Sequence, residues 1–158
     1  MKRFLLAAVL VLLIGGAART ARAQEPTPRP VPAVVDTTIR FAIQAGSRLY
    51  PDWKESLDVR IEEKFFLGDT EFTGKVKKFL PDFRIIDGKV MSLSYAMNNP
   101  AIQIYVYADS GAVDSSWAFL NFPPHFSAKS FFMFQLKEVR GYQAPPSKPE
   151  TPKESKKE

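Results

Sequence analysis

The sequence predicts a mainly β domain, an antiparallel β-sandwich or open barrel of about eight short strands. Three observations predict it. First, apolar residues recur with period 2. Leu57, Val59 and Ile61 alternate with Asp58, Arg60 and Glu62, and Ile102, Ile104 and Val106 alternate with Gln103, Tyr105 and Tyr107. Phe132, Phe134 and Leu136 alternate in the same way with Met133, Gln135 and Lys137. Such alternation places one apolar face on a strand, whereas a helix needs a 3.6-residue period. Second, turn signals separate the runs: Gly68-Asp69, Asp87-Gly88 and Asp109-Ser110-Gly111. An Asp-Gly pair tolerates the positive φ angles of a two-residue hairpin turn. Third, the chain has no cysteine. Without disulfides the domain must rely on its core, and the 105 residues of 36–140 suffice for one.

Taken in order, the strands are expected at about 37–44, 57–66, 70–79, 83–87, 89–96, 101–108, 115–121 and 131–139. Regular short strands with turns between them indicate a sandwich or barrel. One short helical turn at most fits, near Pro51-Asp52-Trp53-Lys54. Gly74-Lys75-Val76 and Gly88-Lys89-Val90 look alike but are too short to define a repeat.

The flanks have a different composition. Met1-Lys2-Arg3 is a positive start, Phe4 to Ala18 is charge-free and apolar, and Ala21-Arg22-Ala23 has the small residues of a cleavage site. This is the pattern of a secretory signal peptide over residues 1–23. The 15-residue apolar run is shorter than the roughly 20 residues a spanning helix needs. A soluble periplasmic or extracytoplasmic product is therefore expected, with no transmembrane segment after the signal. Residues 24–35 carry Pro26, Pro28, Pro30 and Pro32 and read as a Pro-rich linker. The β domain is expected over 36–142. Residues 143–158 mix Lys, Glu, Pro and Ser and read as a disordered tail.

The charge of +5 for the whole chain is concentrated in the leader. Setting aside Lys2, Arg3, Arg19 and Arg22 leaves 18 basic against 17 acidic residues, and residues 36–140 balance at 13 each. Nucleic-acid binding draws on excess positive charge, so no nucleic-acid partner is expected. The absence of cysteine removes thiol nucleophiles, thiolate metal sites and covalent c-type haem attachment. The single histidine, His125, has no G-x-S-x-G serine to serve. Glu62 and Glu63 are adjacent on an expected strand and point to opposite faces. Asp69 and Glu71 share a face at a hairpin, where solvated carboxylates are the ordinary outcome. No catalytic or metal-binding residues are expected, and a small hydrolase is the weakest of three functional readings.

The stretch from Trp117 to Phe134 is the most informative. Trp117, Phe119, Phe122, Phe126, Phe131, Phe132 and Phe134 surround Pro123-Pro124-His125. Two prolines stiffen the loop. A lone imidazole among aromatics suits a haem ligand or a partner surface; alternatively the rings fill the core and His125 is an ordinary loop residue. The candidate binding residues are Trp117, Phe122, Pro123, Pro124, His125 and Phe126. Haem is the one cofactor left open.

Several ordered motifs carry a resemblance. Phe72-Thr73-Gly74-Lys75-Val76, Phe79-Leu80-Pro81-Asp82-Phe83, Asp87-Gly88-Lys89-Val90, Asn99-Pro100-Ala101, Trp117-Ala118-Phe119 and Phe122-Pro123 follow one another across residues 57–140. In that order they resemble the extracytoplasmic domain of the ResB-like cytochrome c biogenesis proteins. The resemblance implies a β-rich domain outside the membrane and an accessory role, through partner or haem binding, beside the cytochrome c maturation machinery. It departs where ResB-like proteins are polytopic. Their haem-handling histidines in membrane helices have no counterpart in this sequence. The competing reading is an unrelated periplasmic β-sandwich, an interaction or structural module without cofactor.

Overall fold

The computed structural model describes residues 29–124 and 130–146. The leader at 1–23 and the tail from residue 147 onward lie outside the described residues. The described chain forms nine strands: β1 (Arg40–Ser47), β2 (Lys54–Arg60), β3 (Lys64–Phe66), β4 (Thr73–Leu80), β5 (Phe83–Ile86), β6 (Lys89–Ser92), β7 (Ala101–Ala108), β8 (Gly111–Phe119) and β9 (Phe132–Arg140). A three-stranded sheet has the order β2-β1-β9 and a four-stranded sheet the order β3-β4-β7-β8. The β5-β6 hairpin is separate. All named strand pairs are antiparallel and neither large sheet closes on itself, so the architecture is an open β-sandwich.

The period-2 residues are what the two sheets bury against each other. Phe41, Ile43 and Ala45 of β1, Val59 of β2, and Phe134 and Leu136 of β9 form one inner face. Val76 and Phe79 of β4, Ile102, Ile104 and Val106 of β7, and Ala118 of β8 form the other. Phe41 meets Phe79 edge-to-face across the sandwich at 5.3 Å between ring centres. Each such side chain contributes about 1.5–3 kcal/mol on burial. Gly74 sits directly opposite Phe65, whose ring lies where a side chain at 74 would project.

The expected strand over 57–66 is instead two strands in different sheets. The chain turns a corner at Ile61-Glu62-Glu63, where Glu62 takes φ +62°. The Glu63 carboxylate accepts from the Arg60 amide at 3.0 Å, and the Glu62 amide donates to the Val76 carbonyl at 2.9 Å. Ile61 stays buried, so the apolar pattern continues through the corner while the backbone changes sheets. The expected helical turn near 51–54 is a turn closed by the Trp53 amide on the Tyr50 carbonyl, 3.0 Å, leading straight into β2.

The ordered body also begins upstream of residue 36. The Val31 amide donates to the Ser92 carbonyl at 2.8 Å and the Val34 amide to the Phe79 carbonyl at 3.0 Å. Ala33 packs with Leu80, Phe83, Ala101 and Phe119 in a second, smaller cluster outside the four-stranded sheet. Residues 31–34 of the Pro-rich segment thus form a strap over that sheet. Below it, the buried Asp82 carboxylate accepts from Ser94 Oγ at 2.9 Å and Asn98 Nδ2 at 3.3 Å. Asn99 Nδ2 donates to the Phe83 carbonyl at 2.9 Å. The Pro81-Asp82-Phe83 and Asn98-Asn99-Pro100 segments are therefore stitched to each other.

Candidate functional site

Three short connections meet at one end of the sandwich and leave a groove of about 580 Å³. They are the β1–β2 turn, the β3–β4 turn and the entry to β9. Trp53, Phe72 and Phe132 make its floor. Phe132 receives the other two rings edge-on, at 6.1 Å from Trp53 and 5.5 Å from Phe72. The rim carries three large side chains turned to solvent: Leu49 at 65% exposure, Tyr50 at 71% and Phe131 at 54%. A pocket of roughly 300–1,000 Å³ with mostly apolar walls is the usual form of a ligand site.

The sequence builds this groove from local hydrogen bonds. Ser47 Oγ accepts from the amides of Leu49 (3.2 Å) and Tyr50 (3.3 Å), which turns the chain directly after β1. Short hydroxyl side chains favour such turns because they replace a backbone acceptor. The Arg48 amide donates to the Phe131 carbonyl at 3.0 Å and the Arg48 guanidinium to the Ser130 carbonyl at 3.2 Å. Ser130 Oγ in turn donates to the Asp114 carboxylate of β8. Leu49, Tyr50 and Phe131 are thus held by backbone groups on a shared frame.

On the opposite wall, Gly68 takes φ +59° and lies against the Trp53 indole. Only glycine meets both demands without strain. Its amide donates to Glu55 at 2.8 Å. Thr70 Oγ1 donates to the Leu67 carbonyl at 2.6 Å and accepts from the Phe72 amide at 3.2 Å. The hydroxyls of Ser47 and Thr70 are therefore engaged in holding turns. The lining suits uncharged apolar groups, since away from its edge a charge gains no partner to offset desolvation. Asp69 is the one carboxylate at the edge.

The residues singled out from the sequence divide among several places. Trp117, Phe83, Phe119 and Phe122 form a run of edge-to-face rings, with centres 5.0, 4.9 and 6.0 Å apart in successive contacts. Trp117 is half-buried on the outer face of the four-stranded sheet, and Phe122 is 47% exposed. Pro123 and Pro124 are exposed. His125 and Phe126 lie outside the described residues. Of the remaining aromatics, Phe132 and Phe134 belong to the core and Phe131 to the groove. Leu49, Tyr50, Trp53 and Phe72 were not anticipated as a site. The available signal was Leu49-Tyr50 placed beside Pro51-Asp52, two large apolar residues inside a turn. Among the described residues, no three His, Cys, Asp or Glu side chains are grouped to hold a metal ion.

Fold and groove together define a β-sandwich module with an apolar recess at one end. Comparison with family models, with curated proteins and with solved structures returned no match.

Proposed function

We propose that this chain is an exported, non-enzymatic β-sandwich interaction module that takes an uncharged apolar group of an envelope partner into the groove between Leu49-Tyr50 and Phe131. The groove itself carries the reading. Its rim exposes three large apolar side chains, yet backbone hydrogen bonds fix the turns that bear them. Such pre-ordering lowers the entropy lost on contact. Aromatic and apolar anchors seated in pockets are also where binding energy concentrates. The leader pattern at Met1–Ala23 supports export.

The finer role, an accessory to cytochrome c maturation, rests on the ResB-like resemblance alone. Its motifs fall largely in strands and structural turns: Gly74 and Val76 in β4, Asp82 and Asn99 in the stitched turns. They speak for how the chain folds. One experiment addresses both levels. A photoreactive phenylalanine placed at Tyr50 or Phe131 in cells should yield a discrete cross-linked product, while the same group at Arg60 or Lys137 should not. If the cross-linked species is a cytochrome maturation protein, the finer role stands. Equal cross-linking from all four positions would remove the groove as the recognition surface.

A further inference from the structure

The groove has two unlike sides. On one, the Trp53 indole lies against Gly68, and each of these residues has a carboxylate beside it in the chain. Asp52 precedes Trp53 and Asp69 follows Gly68. Both are exposed in turns, and neither has a hydrogen bond or an ion pair within the described chain. On the other side stand Leu49, Tyr50 and Phe131 with Arg48, whose guanidinium is drawn to the Ser130 carbonyl at the entry to β9.

The neighbouring charges are already committed elsewhere. Glu55 accepts from the Gly68 amide. Lys54 is exposed at its pairing with Gly46 and, by strand alternation, faces away from Glu55 on the outer side of the three-stranded sheet. Glu71 and Asp109 open onto the outer face of the other sheet, where Lys64 and Lys75 stand with them. What remains at the groove is a carboxylate pair beside the Trp53–Gly68 contact. A carboxylate on a bare turn is well solvated. A partner that covers the aromatic floor strips part of that solvation, and only a positive group carried by the same partner offsets the loss.

We propose that the groove receives its apolar group from a basic polypeptide segment. A large apolar side chain enters over Trp53, Phe72 and Phe132, and an arginine or lysine within a few residues of it meets Asp69 and Asp52 in charge-assisted hydrogen bonds. This rests on the reading of the groove as an apolar docking site and names the chemistry of its partner. The anchor gives affinity, and the carboxylates select among partners and hasten encounter. The same pair disfavours other occupants. Two copies docked face to face would bring both carboxylate pairs together, since such an interface uses one patch twice. An anionic lipid surface would meet them with like charge.

The test uses the chain from Gln24 onward and three capped octapeptides with one shared Phe-Leu centre, flanked on both sides by arginine, by glutamine or by glutamate. Displacement of N-phenyl-1-naphthylamine, an uncharged apolar fluorophore, reads occupancy of the groove. The arginine peptide should compete about fivefold or more better than the glutamine peptide, and the glutamate peptide worst of all. High salt should narrow that spread. Asp52→Asn with Asp69→Asn, both at exposed positions, should bring the three peptides within about twofold of one another and leave dye binding unchanged. Asp87→Asn with Glu138→Gln, away from the groove, should keep the ranking. Saturable dye binding with no ranking among the peptides, or a ranking that survives the loss of both carboxylates, would overturn this inference alone. So would stronger displacement by phosphatidylglycerol vesicles than by the arginine peptide, or a dimer in sedimentation that the dye dissociates. Absence of saturable dye binding would overturn the groove reading and this inference with it.

Discussion

Tyr142 shows how a single side chain closes the sandwich beyond β9. Its hydroxyl donates to the Tyr95 carbonyl at 2.6 Å and its ring stands edge-on to Phe79 at 5.2 Å. Burial raises its pKa above the ordinary tyrosine value, because the phenolate loses solvation, and the nearby Tyr95 adds to the shift. The folded protein therefore keeps this proton to higher pH than the unfolded chain. That contribution to stability is complete below about pH 10 and is lost as pH rises through the raised value. Tyr142→Phe should cost about 1 kcal/mol at neutral pH and should flatten this alkaline decline. Urea melts at pH 7 and above pH 10 check both. Gly74 makes the opposite point, since a methyl group there would overlap the Phe65 ring. Gly74→Ala should destabilise by roughly 1–3 kcal/mol, read from the shift in urea midpoint. Asp87-Gly88 was legible as a hairpin turn, and its φ angles of +50° and +74° are those the pair tolerates. Glu62 at φ +62° was not legible, because nothing local marks a glutamate for that conformation. The distant Val76 carbonyl, the Lys77 ammonium at 2.7 Å and the Arg60–Glu63 turn hold it there.

At the scale of elements, alternation revealed the strands and their inward faces but concealed their irregularities. Lys77 is an extra residue in the pairing of β4 with β7, so Val76 and Phe79, three apart, both face the core. A period-2 reading places one of them outside. Lys137 has the same role in β9 between Leu136 and Glu138. Such bulges re-aim side chains without a strong local sequence mark. The strap is the larger surprise. Its proline content suggests a segment that packs against nothing, yet Val31 places an amide on the β5-β6 hairpin, Val34 places one on the four-stranded sheet, and Ala33 enters the second cluster. Chains that start at Val31 and at Asp36 should differ in stability by about 2 kcal/mol, from two hydrogen bonds and the apolar area beneath them. Chains that start at Gln24 and at Val31 should melt almost together. Differential scanning calorimetry of the three decides the matter. If all three melted alike, the strap would have no structural weight.

At the scale of the whole molecule, the open β-sandwich could be read from the sequence because its core lies on regular strands. The groove could not. Its walls come from residues near 47–53, 67–72 and 131–132, brought together only by the pairing of β1 with β9 and of β3 with β4. The aromatic run from Trp117 to Phe134 looked like one site because it is contiguous in sequence. In the fold its described members are divided among the outer sheet face, the core and the groove rim. The central claim, that the groove receives apolar groups, is tested most directly through Trp53 on its floor. With Trp117→Phe, Trp53 is the only remaining tryptophan. Titrating this variant with N-phenyl-1-naphthylamine, an uncharged apolar fluorophore, should give saturable energy transfer from Trp53 at one site per chain. Leu49→Asp with Phe131→Asp, both at exposed positions, should abolish the transfer while the melting temperature stays nearly unchanged. Transfer that never saturates, or that survives the paired substitution in a folded chain, would contradict the account.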